Sequence, residues 1–382
     1  MGILRLVHSL PPGLRRRLKA LPGMKKVRDR LYQAPAGPRP SPGELRPVVY
    51  LPTWAKWEVM RQRPQYLLDA LARSGHQIYF VDPTADRPHS PSARVSVVPS
   101  LKATPPAGVI VYTHFAPTRT LLERYEDVVV VYDILDDLSI YDADEVGLPP
   151  ERTVRYHHSP LVAEADVVIA SNQTLVERHL SERPDLILVE NGVDPTLFTP
   201  DGPAVDLGEA PVVGYHGAIA AWFDFDLVGQ AADIRPDYSF VLVGPVLEGA
   251  EKGMESLLAR PNVSHHREAP SDVVASFVRS FDVGLVPFLI TEMTQGVTPL
   301  KTFEYLSTGV PVVSTELPAS ISHPDVLTVT DAAELARALD DAIALGPDER
   351  ARLRGAGMAA SWDRRIEPLL ERLDANGLRR VR

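Results

Sequence analysis

From residue 47 onward the chain alternates short apolar runs with longer stretches in which apolar residues recur every three or four positions. Runs such as Val128-Val129-Val130-Val131-Tyr132 are short and β-branched, the pattern of strands buried on both faces. The spacing predicts strands near 48–51, 77–81, 109–112, 128–132, 167–170 and 186–189, with helical stretches near Leu121 and Leu175. A loop through Trp54 and Trp57 enters a further helix, with Pro64 in its first turn and Gly75 as its stop. After a polar, Pro/Gly-containing break at 201–210 the alternation resumes. Strands are predicted at 212–215, 240–243, 283–287, 310–314 and 327–330, helices at 226–234, 273–278 and 300–307, and a helical tail from Ala332. Repeated strand–helix units predict an α/β protein with two Rossmann-like, doubly wound parallel-sheet domains, 46–200 and 201–382, facing across a cleft. Ligands are then expected at the carboxyl ends of the strands. No repeat of fixed 20–50-residue period is present.

Residues 1–45 read differently. Leu14, Leu18 and Leu21 fall at helical spacing, and Met24, Val27 and Leu31 continue the stripe. Residues 1–40 carry ten basic side chains against one acid, Asp29, a net +9, so the rest of a chain of net charge −10 is −19. A basic amphipathic arm of this kind can lie in a membrane interface, each Lys or Arg adding about 1 kcal/mol near anionic lipid. The alternative is a solvated arm packing on its own protein. A Pro-rich tether, 34–47, separates it from the first domain.

The 382 residues, 45% hydrophobic and 24% charged, suit two globular domains rather than a disordered chain. Zero cysteines exclude disulfides, cysteine nucleophiles and thiolate metal sites. No apolar run approaches the ~18 residues of a membrane span, and the N-terminus holds too many prolines and arginines for a signal peptide. A cytoplasmic protein is expected, with the arm offering peripheral attachment to the inner face of the membrane. The acidic body argues against nucleic acid as a partner.

The segment Thr298-Pro299-Leu300-Lys301-Thr302-Phe303-Glu304 runs from a loop into a helix. A helix N-terminus favours a phosphate, and Lys301 in the first turn can place a point charge on it. Glu304, one turn on, shares that face, so a hydroxyl-rich ligand could reach both. The bland alternative is a capped helix with an i,i+3 Lys–Glu pair. Gly214-Tyr215-His216-Gly217-Ala218-Ile219 follows a strand in the same half, and Gly217 lets a diphosphate approach the backbone closely. Neither G-x-G-x-x-G nor a Walker-type phosphate loop occurs, which disfavours a dinucleotide dehydrogenase or a P-loop enzyme.

Both segments resemble the C-terminal half of a GT-B nucleotide-sugar glycosyltransferase of the family 4 type. Asn191-Gly192-Val193-Asp194 matches that family's N-G-V-D signature, and Ala165-Asp166-Val167-Val168-Ile169-Ala170-Ser171 its "A-D-x-V-I-x-x-S" strand. Asn262-Val263, Phe281-Asp282-Val283-Gly284-Leu285-Val286-Pro287-Phe288 and Arg61-Gln62-Arg63-Pro64-Gln65 also fit. The resemblance runs from residue 47 to 373 and is to bacterial enzymes of cell-surface polysaccharide synthesis, the teichuronic-acid type included. It implies a nucleoside diphosphate sugar as donor substrate (UDP first, GDP as competitor), no separate cofactor, retention at the anomeric carbon, and a lipid-linked, polysaccharide or small-molecule acceptor. It places Gly217, Ala218, Thr298, Pro299 and Lys301 on the donor diphosphate and Glu304 on the ribose hydroxyls. The family's E-x₇-E motif calls for a second Glu at the position of Gly296, so contacts to the donor sugar would fall to the backbone of Gln295-Gly296-Val297 or to Glu292.

In the first domain, Tyr132-Asp133-Ile134-Leu135-Asp136-Asp137 follows a core strand. Asp136 or Asp137 is the candidate acceptor-orienting group or proton acceptor, against an acidic turn as the alternative. His114 is a candidate cleft residue or a structural histidine, and Arg63 a candidate counter-charge. His157-His158 and His265-His266 are poor metal sites because neighbours on a strand or helix do not face one point. Asp224-Phe225-Asp226 and Asp142-Ala143-Asp144 read as helix starts rather than metal-binding D-x-D. Rival functions are a GT-B sugar-nucleotide 2-epimerase or hydrolase, and an inactive nucleotide-sugar-binding subunit of a polysaccharide assembly complex.

Overall fold

The computed structural model describes residue 30 and residues 33–53, 55–58, 61–136 and 154–382, with side chains of the last stretch from 156 onward. The arm's helical stripe, Trp54, Asp137 and Asp142-Ala143-Asp144 lie outside the described residues. The chain divides into two compact units, one of residues 1–59, 64–189 and 366–382 and the other of residues 60–63 and 190–365.

The first unit is built on an eight-stranded sheet of β1 (Val48–Tyr50), β2 (Ile78–Val81), β3 (His89–Ser92), β4 (Val95–Val98), β5 (Ala107–Thr113), β6 (Glu126–Ile134), β7 (Val167–Ala170) and β8 (Ile187–Leu188). Their order is β3-β4-β2-β1-β5-β6-β7-β8, all pairs parallel except β3 on β4. The apolar runs explain this directly, since β5 and β7 are buried along their whole length. The helices are α1 (Arg63–Arg73), α2 (Val154–Glu164) and α3 (Gln173–His179). Arg63, the first residue of α1, groups with the second unit. β3 and β4 were not anticipated. β3 is exposed, polar and contains Pro91, which is tolerable only on an edge.

The second unit carries β9 (Val212–His216), α4 (Phe225–Ile234), β10 (Ser239–Val243), α5 (Glu251–Leu258), β11 (Val263–His266), α6 (Ser271–Val278), β12 (Val283–Val286), α7 (Leu300–Thr308), β13 (Val312–Thr315), β14 (Val326–Val329), α8 (Ala332–Ile343) and α9 (Pro347–Ala359). The parallel order β11-β10-β9-β12-β13-β14 is the doubly wound one, with its reversal between β9 and β12. β11, half-buried and ending in two histidines, escaped the sequence reading. Asp224 caps α4 by accepting the Leu227 N–H at 2.9 Å, the role expected of it. Both Rossmann-like sheets expected from the sequence are therefore present.

The expected domain limits need correction. The change of unit falls at 189/190, not at 200/201, and 366–382 return to the first unit. The last helix, α10 (Glu367–Ala375), buries Leu369 and Leu373. Beyond it the backbone pairs with the residues that precede β1: Val381 N–H donates to Glu44 O at 2.9 Å and Arg46 N–H to Arg379 O at 3.0 Å. Arg46, buried, also donates through its guanidinium to Arg380 O at 3.1 Å and to Asp127 O at 2.7 Å. Partners more than 300 residues apart leave no local signature.

A buried relay crosses the first unit. Tyr132 Oη lies 2.7 Å from His158 Nδ1, His158 Nε2 2.9 Å from His179 Nε2, and His179 Nδ1 2.8 Å from Leu175 O. With neutral rings, since a carbonyl only accepts, His179 would carry its proton on Nδ1 and His158 on Nε2, and the tyrosine hydroxyl would donate. Burial, with His179 alongside, pushes His158 down to about 4. A depressed pKa means that the contribution is complete above the ordinary value near 6.5 and is lost as pH falls towards 4. We expect the unfolding free energy, from denaturation curves, to drop across that window by up to about 3 kcal/mol. His158→Gln should flatten that part of the profile, and an unchanged slope would count against the relay.

Candidate functional site

The reversal of strand order in the second unit brings the carboxyl ends of β9, β10 and β12 to the start of α7. β9 ends at His216, and the loop that follows is held by backbone: Gly217 N–H donates to Val243 O and Ile219 N–H to Pro245 O, each at 2.9 Å. Tyr215 Oη donates to Ala218 O at 2.7 Å and pins the loop from below. Gly217 has φ +120°, and a Cβ there would stand 3.2 Å from Lys301 Cε. Gly244, after β10, has φ +144°, and a Cβ there would stand 2.1 Å from Gly217 O. The two loops are stacked backbone on backbone, which only glycine allows. His265 supports the outer loop, its Nε2 2.8 Å from Gly244 O. His266, on the same strand, packs against Phe277, so the two histidines do not converge.

Over these loops lies Lys301, in the first turn of α7. The side chain is half-buried, with its ammonium 4.9 Å from the centroid of Tyr215 and 4.7 Å from that of Phe288. Desolvation pulls Lys301 down to about 8, against the opposing pull of Glu304. No acidic side chain stands in the first turn of α7, so nothing there offsets the positive end of the helix dipole. Glu304 is 6% exposed, with Oε2 3.1 Å from His216 Nε2. That approach is close but off the line of a hydrogen bond, and His216 Nε2 has no such bond among the described residues.

The N-terminal approach to α7 is fixed from behind. Asn191 Nδ2 donates to Thr298 O at 2.6 Å, and Arg63 Nη1 donates to Asn191 Oδ1 at 3.1 Å. Arg63 is 1% exposed and lies 5.9 Å from the Trp362 ring. It was expected in the first domain as a counter-charge; instead it belongs to the second unit, where it orients the group that orients Thr298. Thr298 Oγ1 is buried and has no hydrogen-bond partner among the described residues. Pro299 is the N-cap of α7. Gly296, buried, ends the one-turn helix Glu292–Gln295 at φ −90°, a value any residue adopts, while Glu292 is exposed.

The structure thus gathers Gly217, Ala218, Thr298, Pro299, Lys301 and Glu304 at one place. A cation, a helix N-terminus and an open glycine backbone suit a phosphate group; a buried carboxylate beside them suits paired hydroxyls. His216 was missed, although its place as the last residue of β9 was the available signal.

In the first unit His114 follows β5 and is 3% exposed, with Nδ1 3.2 Å from Tyr50 Oη and its ring stacked on Tyr50. Tyr50 Oη also meets Thr53 Oγ1 at 3.0 Å. Tyr112 donates through its hydroxyl to Asp133, which is fully buried in β6. Asp136, just past β6, is half-buried. The sequence reading passed over Tyr50, Tyr112 and Asp133; a carboxylate inside an apolar strand was the visible sign. Among the described residues no group of three or more His, Asp or Glu side chains could hold a metal ion, and no helix is long and apolar enough to cross a membrane.

Known proteins share this architecture. The catalytic domain of starch synthase IV from Arabidopsis thaliana, solved with ADP and acarbose, aligns over 87% of this chain and 99% of its own, with TM-score 0.62 and 11% identity. Sucrose-phosphate synthase from Thermosynechococcus elongatus aligns over 87% of this chain and 100% of its own, with TM-score 0.64 and 16% identity. The fold is GT-B. Residues 210–344 match the family model described as "Glycosyl transferases group 1". It is 30% identical over 205 residues to the putative teichuronic acid biosynthesis glycosyltransferase TuaH of Bacillus subtilis (strain 168), an alignment of 48% of this chain and 52% of that one. The chain thus spans about half the length of the curated relative it matches.

The loop stack makes a direct prediction. Gly244→Ala drives a Cβ into the Gly217 carbonyl at a left-handed φ, and should cost about 1–3 kcal/mol of stability. Chemical denaturation measures it; a loss within 0.5 kcal/mol, roughly that of an ordinary surface change, would show that the loops are not in contact.

Proposed function

We propose that the chain is a glycosyltransferase that moves a hexosyl group from a nucleoside diphosphate sugar, UDP favoured over GDP, to an acceptor hydroxyl without a metal ion. The observation that carries this reading is Lys301, a half-buried cation held over the Gly217 loop with Glu304 one turn behind it. In this reading Gly217 and Ala218 line the diphosphate with backbone, Thr298 and Pro299 present the helix end, and Glu304 accepts from the ribose hydroxyls. The backbone about Gly296 takes the donor sugar. The acceptor oxygen bonds to the anomeric carbon as the bond to the diphosphate breaks; Lys301 and the α7 N-terminus stabilise the charge that grows on the leaving group. Front-face displacement, with retention and no covalent intermediate, is the matching stereochemistry. The acceptor is assigned to the first unit, near His114 and Asp136, with Asp137 as the neighbouring candidate.

The name of the Bacillus relative supports a polysaccharide or glycolipid acceptor in cell-envelope synthesis. The basic arm then gives a cytoplasmic enzyme peripheral contact with anionic membrane. Gly296 favours one competing reading, a binding subunit that retains affinity without turnover. Product formation separates the two.

A thermal-shift panel of UDP-, GDP-, dTDP- and ADP-sugars in EDTA is the test. One base should stabilise the protein, by ~2.7 kcal/mol at 100 times its dissociation constant; no shift with any of them would overturn the donor site. Since an anion binds the protonated lysine, affinity should be level below pH 8 and fall above it, by up to about tenfold per unit. Lys301→Met should remove that dependence. Separately, deleting residues 1–40 should abolish binding to vesicles rich in anionic lipid while leaving nucleotide binding intact; unchanged vesicle binding would end the membrane role of the arm.

A further inference from the structure

We propose that His216 is a positioning residue that holds the Glu304 carboxylate in its ligand-facing orientation and so sets the preference of the site for ribose over deoxyribose. The inference rests on the nucleotide-sugar reading above.

The ring of His216 has little freedom. It stacks on Phe198 at 6.1 Å and meets the edge of Tyr305 at 5.1 Å. Its backbone N–H donates to Tyr305 Oη at 3.0 Å, and Gly217 turns the chain sharply just after it. Between these constraints His216 is 7% exposed, and its Nε2 stands 3.1 Å from Glu304 Oε2. A carboxylate oxygen only accepts, so a bare Nε2 facing it would set lone pair against lone pair. The compatible state carries a proton on Nε2. A small turn of the carboxylate then brings that N–H into line, leaving its other lone pairs for two ligand hydroxyls. Without the imidazole the carboxylate would lose this restraint, and Lys301, on its own helix, would draw it towards the phosphate position.

The experiment measures binding of UDP and GDP, their 2′-deoxy and 3′-deoxy forms and inorganic pyrophosphate by calorimetry. The proteins are the wild type, His216→Phe, His216→Gln, Glu304→Gln and the double variant H216F/E304Q. The wild type should favour the ribonucleotide by roughly tenfold or more, the worth of one hydrogen bond to a charged group. H216F should lose most of that preference and keep its pyrophosphate affinity, and H216Q, which retains a donor, should recover part of it. The double variant should bind no worse than E304Q alone, because the two act as one unit. An H216F protein that keeps the full ribose preference, or that loses pyrophosphate and both kinds of nucleotide in equal proportion, overturns the proposal. A wild type that binds none of the nucleotides overturns the donor-site reading instead.

Discussion

One ammonium group sets the conditions for everything around it. Lys301 is partly taken out of water at the head of α7, and desolvation works against its charge. Two aromatic faces and Glu304 offset that cost in part, and a pair of stacked loops leaves the space beneath it open to backbone alone. Each of these depends on the strand order. β9 and β12 lie side by side and send their chains in opposite directions, so Tyr215, the Gly217 loop and Phe288 converge on the same point. A cation partly stripped of water interacts with an anion more strongly than a solvated one, since less screening lies between them. On the proposed reading, the same burial that weakens its hold on a proton would strengthen its hold on a phosphate.

Much of the fold was legible because its strands are apolar on both faces. Val128 to Val131, or Val212 and Val213, could be little else. What escaped lacked that signal: β3 is polar and exposed, β11 is half histidine, and the return of 366–382 depends on pairing with 43–46. The N-G-V-D segment was recognised as a junction, but the unit in fact changes just before it, at 189/190. Its asparagine serves the second unit by holding Thr298.

The site was legible to a lesser degree. Lys301, Glu304 and Gly217 belong to motifs whose spacing has a physical meaning, and the structure brings them together. Arg63 was visible as a charge before a helix, yet its task is to orient Asn191, a partner 128 positions away. His216 was hidden in plain sight, adjacent to the loop that drew attention. Side chains that act through other side chains leave no spacing rule, because their partner is set by tertiary contact rather than by helix or strand period.

Gly296 bears on what such a site would select. Its backbone is unstrained, so no conformational demand requires glycine there. On the proposed reading a carboxylate at this position would stand near the donor as well as Glu304, adding like-charge repulsion to a bound diphosphate at every distance. It would also accept only, fixing the sugar hydroxyls as donors. The backbone N–H groups of 295, 296 and 297 donate to Thr291 O, Met293 O and Thr294 O, so a sugar there would meet carbonyls, which also accept only but impose no net charge. Discrimination among donor sugars then rests on the shape and direction of backbone groups, while the nucleotide end retains the stronger, charge-assisted contacts of Lys301 and Glu304. On that reading the division would put affinity in α7 and leave sugar selection to the loop before it.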